Sequence, residues 1–307
     1  LSVTKGSLTY YIQVLFVPIF KTSRENLMKR SCLSLFVVST TIVVLLLSQS
    51  LSAADAGLVM PLIQGKPSFA DFENMAPSTA LARSMAKVDN FIQREPDDGD
   101  PATQLTEVYI GYDQRELHVI FLAFDSEPEQ IRANLSSREN IDGDDYVQIS
   151  FDTFNDQRAA ASFRSTPLGI QWDARWTEGS SSRAGFDTTL EMVWDSEGEL
   201  TDRGYMVRMA IPMRSLRFPS NSEQTWRVQF ARSIPRLSEE SFWPPYSIAV
   251  EGRLNQTAIL TGIRDVSPGN NSQFIPFIFA REVDALDLGA VGGPKFNRRS
   301  EQDVGID

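Results

Sequence analysis

The stretch from Thr106 to Asp156 decides the fold. It reads TEVYIGYD over 106–113, QRELHVIFLAFDSEP over 114–128 and RENIDGDDYVQISFDTFND over 138–156. Two apolar runs are joined by the polar turn Asp113-Gln114-Arg115-Glu116. A third, Tyr146-Val147-Gln148-Ile149-Ser150-Phe151, alternates between apolar and polar side chains. A period of two puts successive side chains on opposite faces of an extended chain, so these segments are strands of a sheet. Acidic residues mark the strand ends.

Working outward, the reading stays β. Strands are expected at 106–112, 116–125, 145–153, 158–164, 168–173, 188–194, 203–211, 226–234, 256–263 and 273–281. Turn signals such as Asn140 to Asp144, Glu197-Gly198 and Asp202-Arg203-Gly204 separate them. Many short strands with little helix predict an all-β antiparallel sandwich of immunoglobulin-like or jelly-roll type. Before it, Pro61 to Gly65 reads as an opening strand and Phe91-Ile92-Gln93 as another. Ser78-Thr79 is placed to cap a short helix over an Ala/Leu/Met stretch.

The amino-terminal residues read differently. Met28-Lys29-Arg30 is a basic start, Leu33 to Leu47 an apolar run, and Ser48 to Ala54 a stretch of small residues. That order describes a secretory signal cleaved near Ala53 or Ala54, with translation starting at Met28. Residues 1–54 are therefore read as a leader with a signal helix, 55–265 as the sandwich, and 266–307 as a linker with the first part of a truncated barrel-like domain. The expected location is the periplasm or outer membrane of a Gram-negative bacterium. The sole cysteine, Cys32, falls in the leader, which leaves the mature chain without a disulfide.

The 307 residues carry a formal charge of −11. Residues 1–54 contain Lys5, Lys21, Arg24, Lys29 and Arg30 against Glu25 alone, leaving 24 basic and 39 acidic residues, or −15, over 55–307. Such a balance repels phosphate backbones and argues against nucleic acid. The single histidine, His118, lies in the most apolar strand and reads as structural. Without a second histidine or a mature cysteine, the usual zinc sites and Ser-His or Cys-His nucleophile systems are nearly excluded. Paired carboxylates of glycosidase type need a separation that sequence does not show.

Two groups of residues remain. Asp142, Asp144 and Asp145 surround Gly143 with hard oxygen donors, either a calcium loop or an acidic turn. Among the five tryptophans, Trp172 and Trp194 alternate with polar neighbours and read as core. Trp176 lies at a strand end and Trp243 among prolines, so either covers the sandwich edge or offers an indole platform to a sugar ring. Arg236 and Glu240 precede Trp243 and supply directional hydrogen-bonding groups, or else a surface ion pair.

The order Thr106-Glu107-Val108, Tyr112-Asp113, Asp125 to Pro128, Ile131-Arg132-Ala133, Arg138, Asp144-Asp145 and Asp152 to Asp156 resembles the family 9 carbohydrate-binding modules. Ile211-Pro212, Ser215 to Phe218, Arg232 to Arg236, and Glu240 with Trp243 extend the likeness over residues 60–265. It is nearest to the bacterial subgroup in which the module precedes an outer-membrane barrel-like domain. The resemblance implies a sandwich that binds an oligosaccharide or polysaccharide between two tryptophans, often with structural calcium, and that is frequently attached to xylan-degrading enzymes. The family's opening tryptophan anchor is replaced here by Gln64-Gly65 with Phe69 and Phe72. The expectation is an exported, non-catalytic module with Trp176 and Trp243 as its clamp. The alternatives are a periplasmic domain of a barrel protein and an accessory part of a glycoside hydrolase.

Overall fold

The computed structural model describes residues 57–179, 185–268, 276–289, 291–292 and 295–306. The leader over 1–54, with Met28 and Cys32, lies outside these residues. In chain order the elements are β1 (Gly57–Val59), α1 (Ala80–Ser84), β2 (Ala86–Val88), β3 (Ile92–Glu95), β4 (Thr106–Tyr112), β5 (Glu116–Phe124), β6 (Tyr146–Asp152), β7 (Ala159–Ser165), β8 (Gln171–Thr177) and β9 (Phe186–Asp187). They continue with β10 (Asp195–Thr201), β11 (Gly204–Pro212), β12 (Glu223–Ile234), β13 (Glu239–Trp243), β14 (Ala258–Arg264), β15 (Pro276–Asp287) and β16 (Lys295–Ile306).

The strands form the expected all-β sandwich. One sheet of nine strands runs β1, β14, β12, β6, β7, β8, β9, with β13 and β3 added beside the second half of β12. The other, of five strands, runs β10, β11, β5, β4, β2. All named pairs are antiparallel except β1 with β14. β15 and β16 form a separate hairpin that pairs only with itself among the described residues. No helix among the described residues is long and apolar enough to cross a membrane.

Alternation builds the core between the sheets. Val147, Ile149 and Phe151 of β6 point inward and meet Val119 and Phe121 of β5, Val207 and Met209 of β11, and Trp226, Val228 and Phe230 of β12. Phe121 and Phe230 touch across the interface with ring centroids 6.0 Å apart. Each fully buried apolar side chain of this size contributes about 1.5–3 kcal/mol.

The unbroken apolar run of β5 has a separate cause. Its second face, with Ile120 and Leu122, is also covered, because Ile63, Phe72, Met75, Ala82 and Met85 of the preceding segment fold across the smaller sheet. Phe72 is fully buried and its ring centroid lies 5.0 Å from that of Tyr109. Thr79 caps α1 as its position suggested, its Oγ1 accepting the Ala82 amide at 3.2 Å. The smaller sheet is thus covered on both faces. The outer face of the larger sheet is covered in part, by Ile141 packed on Trp172 and Ala174 and by Arg253 of the segment that follows Trp243.

Most expected strands are present within a residue or two, but 188–194 holds none, and Pro61 to Gly65 holds only an isolated bridge between Leu62 and Tyr112. The chain pairs instead over β10, whose sequence DSEGELT has no apolar alternation. β10 is an edge strand, where pairing needs no buried face. β13 and β16 were missed because a polar sequence and adjoining prolines or loops conceal them.

Candidate functional site

The outer face of the larger sheet gathers aromatic rings around two arginines. Register fixes the arrangement. Gln148 pairs with Arg164, Arg164 with Trp172, Ala160 with Trp176, and Trp176 with Phe186, so these side chains share the face away from the core. Phe186 packs edge-on against both tryptophans, at 5.1 Å from Trp172 and 4.8 Å from Trp176. Trp176 also lies against Gly185, whose added Cβ would come 2.2 Å from the indole, and the backbone there has φ +63°. Only glycine fits beneath the ring in that left-handed conformation.

Arg164 lies over three rings, 4.0 Å from the centroid of Trp172, 4.7 Å from Tyr146 and 4.8 Å from Phe186. Its Nε donates to Gln148 Oε1 at 2.6 Å. Arg253 arrives from the segment after Trp243 and lies 5.2 Å over Trp176 and 5.4 Å over both Phe186 and Phe242, with Tyr246 at 5.5 Å. It donates through Nε to Gln229 Oε1 at 2.8 Å. Burial pushes the Arg253 guanidinium down to about 10, and the like charge of Arg164 adds to the shift. Burial likewise raises the Tyr146 hydroxyl to about 12. Arg253 Nη2 and Gln229 Nε2 are buried and without a hydrogen-bond partner.

Two carboxylates border this cluster. Glu178 accepts the backbone amides of Arg253 and Leu254, each at 3.1 Å, and the Trp176 indole N–H at 3.2 Å. Glu240 accepts the Tyr146 hydroxyl at 3.1 Å and Arg94 at 3.3 Å. The face therefore presents flat apolar rings beside fixed donors and acceptors, with the rings of Trp176, Phe186 and Tyr246 partly open to solvent. Such a surface suits a ligand with an apolar face and hydroxyl edges.

The expected site residues divide between two regions. Trp176 and Glu240 lie on this face. Trp243 does not: it pairs with Phe230 on β12 and packs against that core ring at 5.8 Å, on the opposite side of the sheet. Trp176 and Trp243 therefore do not face one another as a clamp. Arg236 is also elsewhere, bound through two nitrogens to Asp125 at 2.9 and 2.6 Å. Beside it the fully buried Arg232 contacts Asp125 at 3.5 Å and the Phe124 carbonyl at 2.8 Å. Trp194 is core as expected, donating to Asp173 at 3.0 Å. Trp172 is buried too, but by Arg164 on the outer face and not between the sheets.

The acidic turn has similar commitments. Asp144 accepts both the backbone amide and the side-chain amide of Asn134, at 3.1 and 2.5 Å. Asp145 accepts the Arg132 amide at 3.2 Å, while Asp142 is exposed. The three carboxylates do not converge. Among the described residues the one acidic and histidine cluster with ligand atoms within 4.8 Å of one another is Asp113, Glu116 and His118. There the Lys66 ammonium is 2.7 Å from Glu116, and Asp113 receives His118 Nε2 at 3.0 Å and two turn amides. His118 is buried, in keeping with a structural role.

Two clefts lie away from the aromatic face. One of about 470 Å³ is lined by Met60, Tyr112, Gly262 and Arg264 among others, and one of about 420 Å³ by Phe69, Asn74 and Arg203 among others. Neither holds an indole or an unpaired buried donor: Arg264 is paired with Glu223 and Arg203 donates to the Asn74 carbonyl. The aromatic face is therefore the better candidate.

No protein-family model matches the chain. No curated protein matches it either. Several solved structures are similar. One is a candidate carbohydrate-binding protein from Bacteroides uniformis, with 13% identity, 67% of this chain and 98% of the other covered, and a TM-score of 0.49. Another is a family 9 carbohydrate-binding module from Caldicellulosiruptor kristjanssonii in complex with glucose, with 9% identity, coverage of 71% and 98%, and a TM-score of 0.43. The same organism's module in complex with cellotriose gives 10% identity, coverage of 70% and 95%, and a TM-score of 0.42.

Proposed function

We propose that this chain is a saccharide-binding module whose ligand rests on the outer face of the larger sheet. The carrying observation is the convergence of Trp172, Trp176, Phe186 and Tyr246 with Arg164, Arg253 and Glu240 on one half-open face. Pyranose rings offer C–H faces that pack on indoles, and their hydroxyls need directional partners of the kind Glu240 and Arg164 provide. The resemblance of residues 60–265 to family 9 carbohydrate-binding modules supports the same reading. The module acts as a non-catalytic anchor for plant-type or envelope polysaccharide in this proposal, exported through the leader over 1–54. Calorimetric titration with cello- and xylo-oligosaccharides, followed in parallel by tryptophan fluorescence, tests it. Binding should move the emission of Trp176, and no heat with no spectral change up to about 10 mM ligand would reject it. Export predicts a mature chain starting near Ala54 or Asp55, read by intact mass after expression in a Gram-negative host.

A second reading, a periplasmic domain associated with an outer-membrane barrel, draws on the hairpin β15–β16. Its strands pair over 12 residues, and Ile278, Leu286 and Phe296 are exposed on it. The reading frame downstream of Asp307 would separate the two: the absence there of any series of amphipathic strands counts against it.

A further inference from the structure

Arg164 and Arg253 both lie over the ring of Phe186, at 4.8 and 5.4 Å. Neither forms an ion pair with a carboxylate among the described residues. The other charges on this face are already engaged. Arg94 is bound to Glu240 and Glu95. Glu240 also takes the Tyr146 hydroxyl, and Glu178 is spent on two backbone amides and an indole. Arg253 is only 7% exposed, and its Nη2 has no partner. Gln229 is fully buried, and because its carbonyl oxygen accepts Arg253 Nε, the group left over is its amide donor.

Buried donors without acceptors cost about 1–3 kcal/mol each, and two neighbouring guanidiniums repel. An acceptor that carries negative charge answers both. Glucose-like hydroxyls would satisfy the donors but leave the repulsion. A planar carboxylate fits a guanidinium fork and neutralises the pair. We propose that the saccharide taken by this face carries a carboxylate, as uronic acid residues do, and that Arg164 and Arg253 hold it while the sugar ring packs on the tryptophans. The inference rests on the saccharide-binding reading and narrows it to acidic glycans. It also accounts for two arginines without a carboxylate partner on one face of a chain that is strongly acidic overall, since local field and not net charge steers an anion.

The test compares matched ligands on the intact chain. Trigalacturonate and its full methyl ester form one pair, and a xylotriose with a glucuronic acid branch and plain xylotriose form the other. At least one acid should bind about tenfold more tightly than its neutral counterpart, and its affinity should fall between about 20 mM and about 500 mM sodium chloride. Arg164→Gln should weaken the acids at least tenfold and remove the salt dependence of their binding. If both neutral ligands bind as well as the acids, the acidic-glycan inference is wrong and the saccharide reading stands. If none of the four binds, both fall. The wild-type comparison decides the matter even if the variant folds poorly.

Discussion

Gly185→Ala offers a way to move the key indole without deleting it. The new Cβ would sit 2.2, 2.4 and 2.7 Å from three carbons of the Trp176 ring. Carbon atoms settle at about 3.5–4.0 Å, so the ring or the local backbone must give by roughly 1 Å. The alanine must also hold φ +63°, which costs about 1 kcal/mol. Displacing the indole lengthens its 3.2 Å hydrogen bond to Glu178 and disturbs the 4.8 Å contact with Phe186 and the 5.2 Å contact with Arg253. Partial loss of these adds about 1–2 kcal/mol, for a total near 2–3 kcal/mol. The core between the sheets is untouched, so the variant should fold with unchanged far-ultraviolet dichroism and a lower Tm. Its tryptophan emission should shift to the red, and oligosaccharide affinity should fall at least tenfold. Wild-type emission together with wild-type affinity would refute the packing argument.

Three further outcomes are expected. Trp243→Ala should cost about 2–3 kcal/mol by removing its contact with Phe230, yet change affinity less than twofold because it lies on the opposite face; a larger binding loss in titration would place the ligand elsewhere. Asp145 is raised from 3.8 to about 6 by burial, so it holds its proton more tightly in the folded state; its contribution is fully present below pH 4 and is lost as pH climbs through 6. The stability difference between wild type and Asp145→Asn, measured by urea unfolding, should therefore move in favour of wild type from pH 7 to pH 4, by on the order of 1–3 kcal/mol, and a flat difference would exclude the buried acid. Because Asp144 and Asp145 are already bonded to Asn134 and Arg132, about 1 mM calcium should shift Tm by less than about 1 °C, and a clear rise would show that calcium binds the loop.

Period-two alternation over Thr106–Asp156 and its neighbours was enough for the strands and the sandwich, because one buried face imprints itself on every second residue. The same alternation told Trp172 from its neighbours but not inside from outside, so the residue read as core belongs to the candidate site. Trp243 was misjudged for the converse reason: prolines after it suggested a loop, whereas pairing with Phe230 carries it into β13 and against the core. Arg164, Phe186 and Arg253 gave no local signal, being single residues in polar or loop sequence 22 to 89 positions apart. Local pattern alone carried the strand content, the helix cap at Thr79 and the burial of His118. Which face of the larger sheet lies open, and which arginines and rings meet on it, was decided only by tertiary structure. Register between distant strands and the covering of the smaller sheet by residues 63–85 are long-range facts, and no local periodicity encodes them.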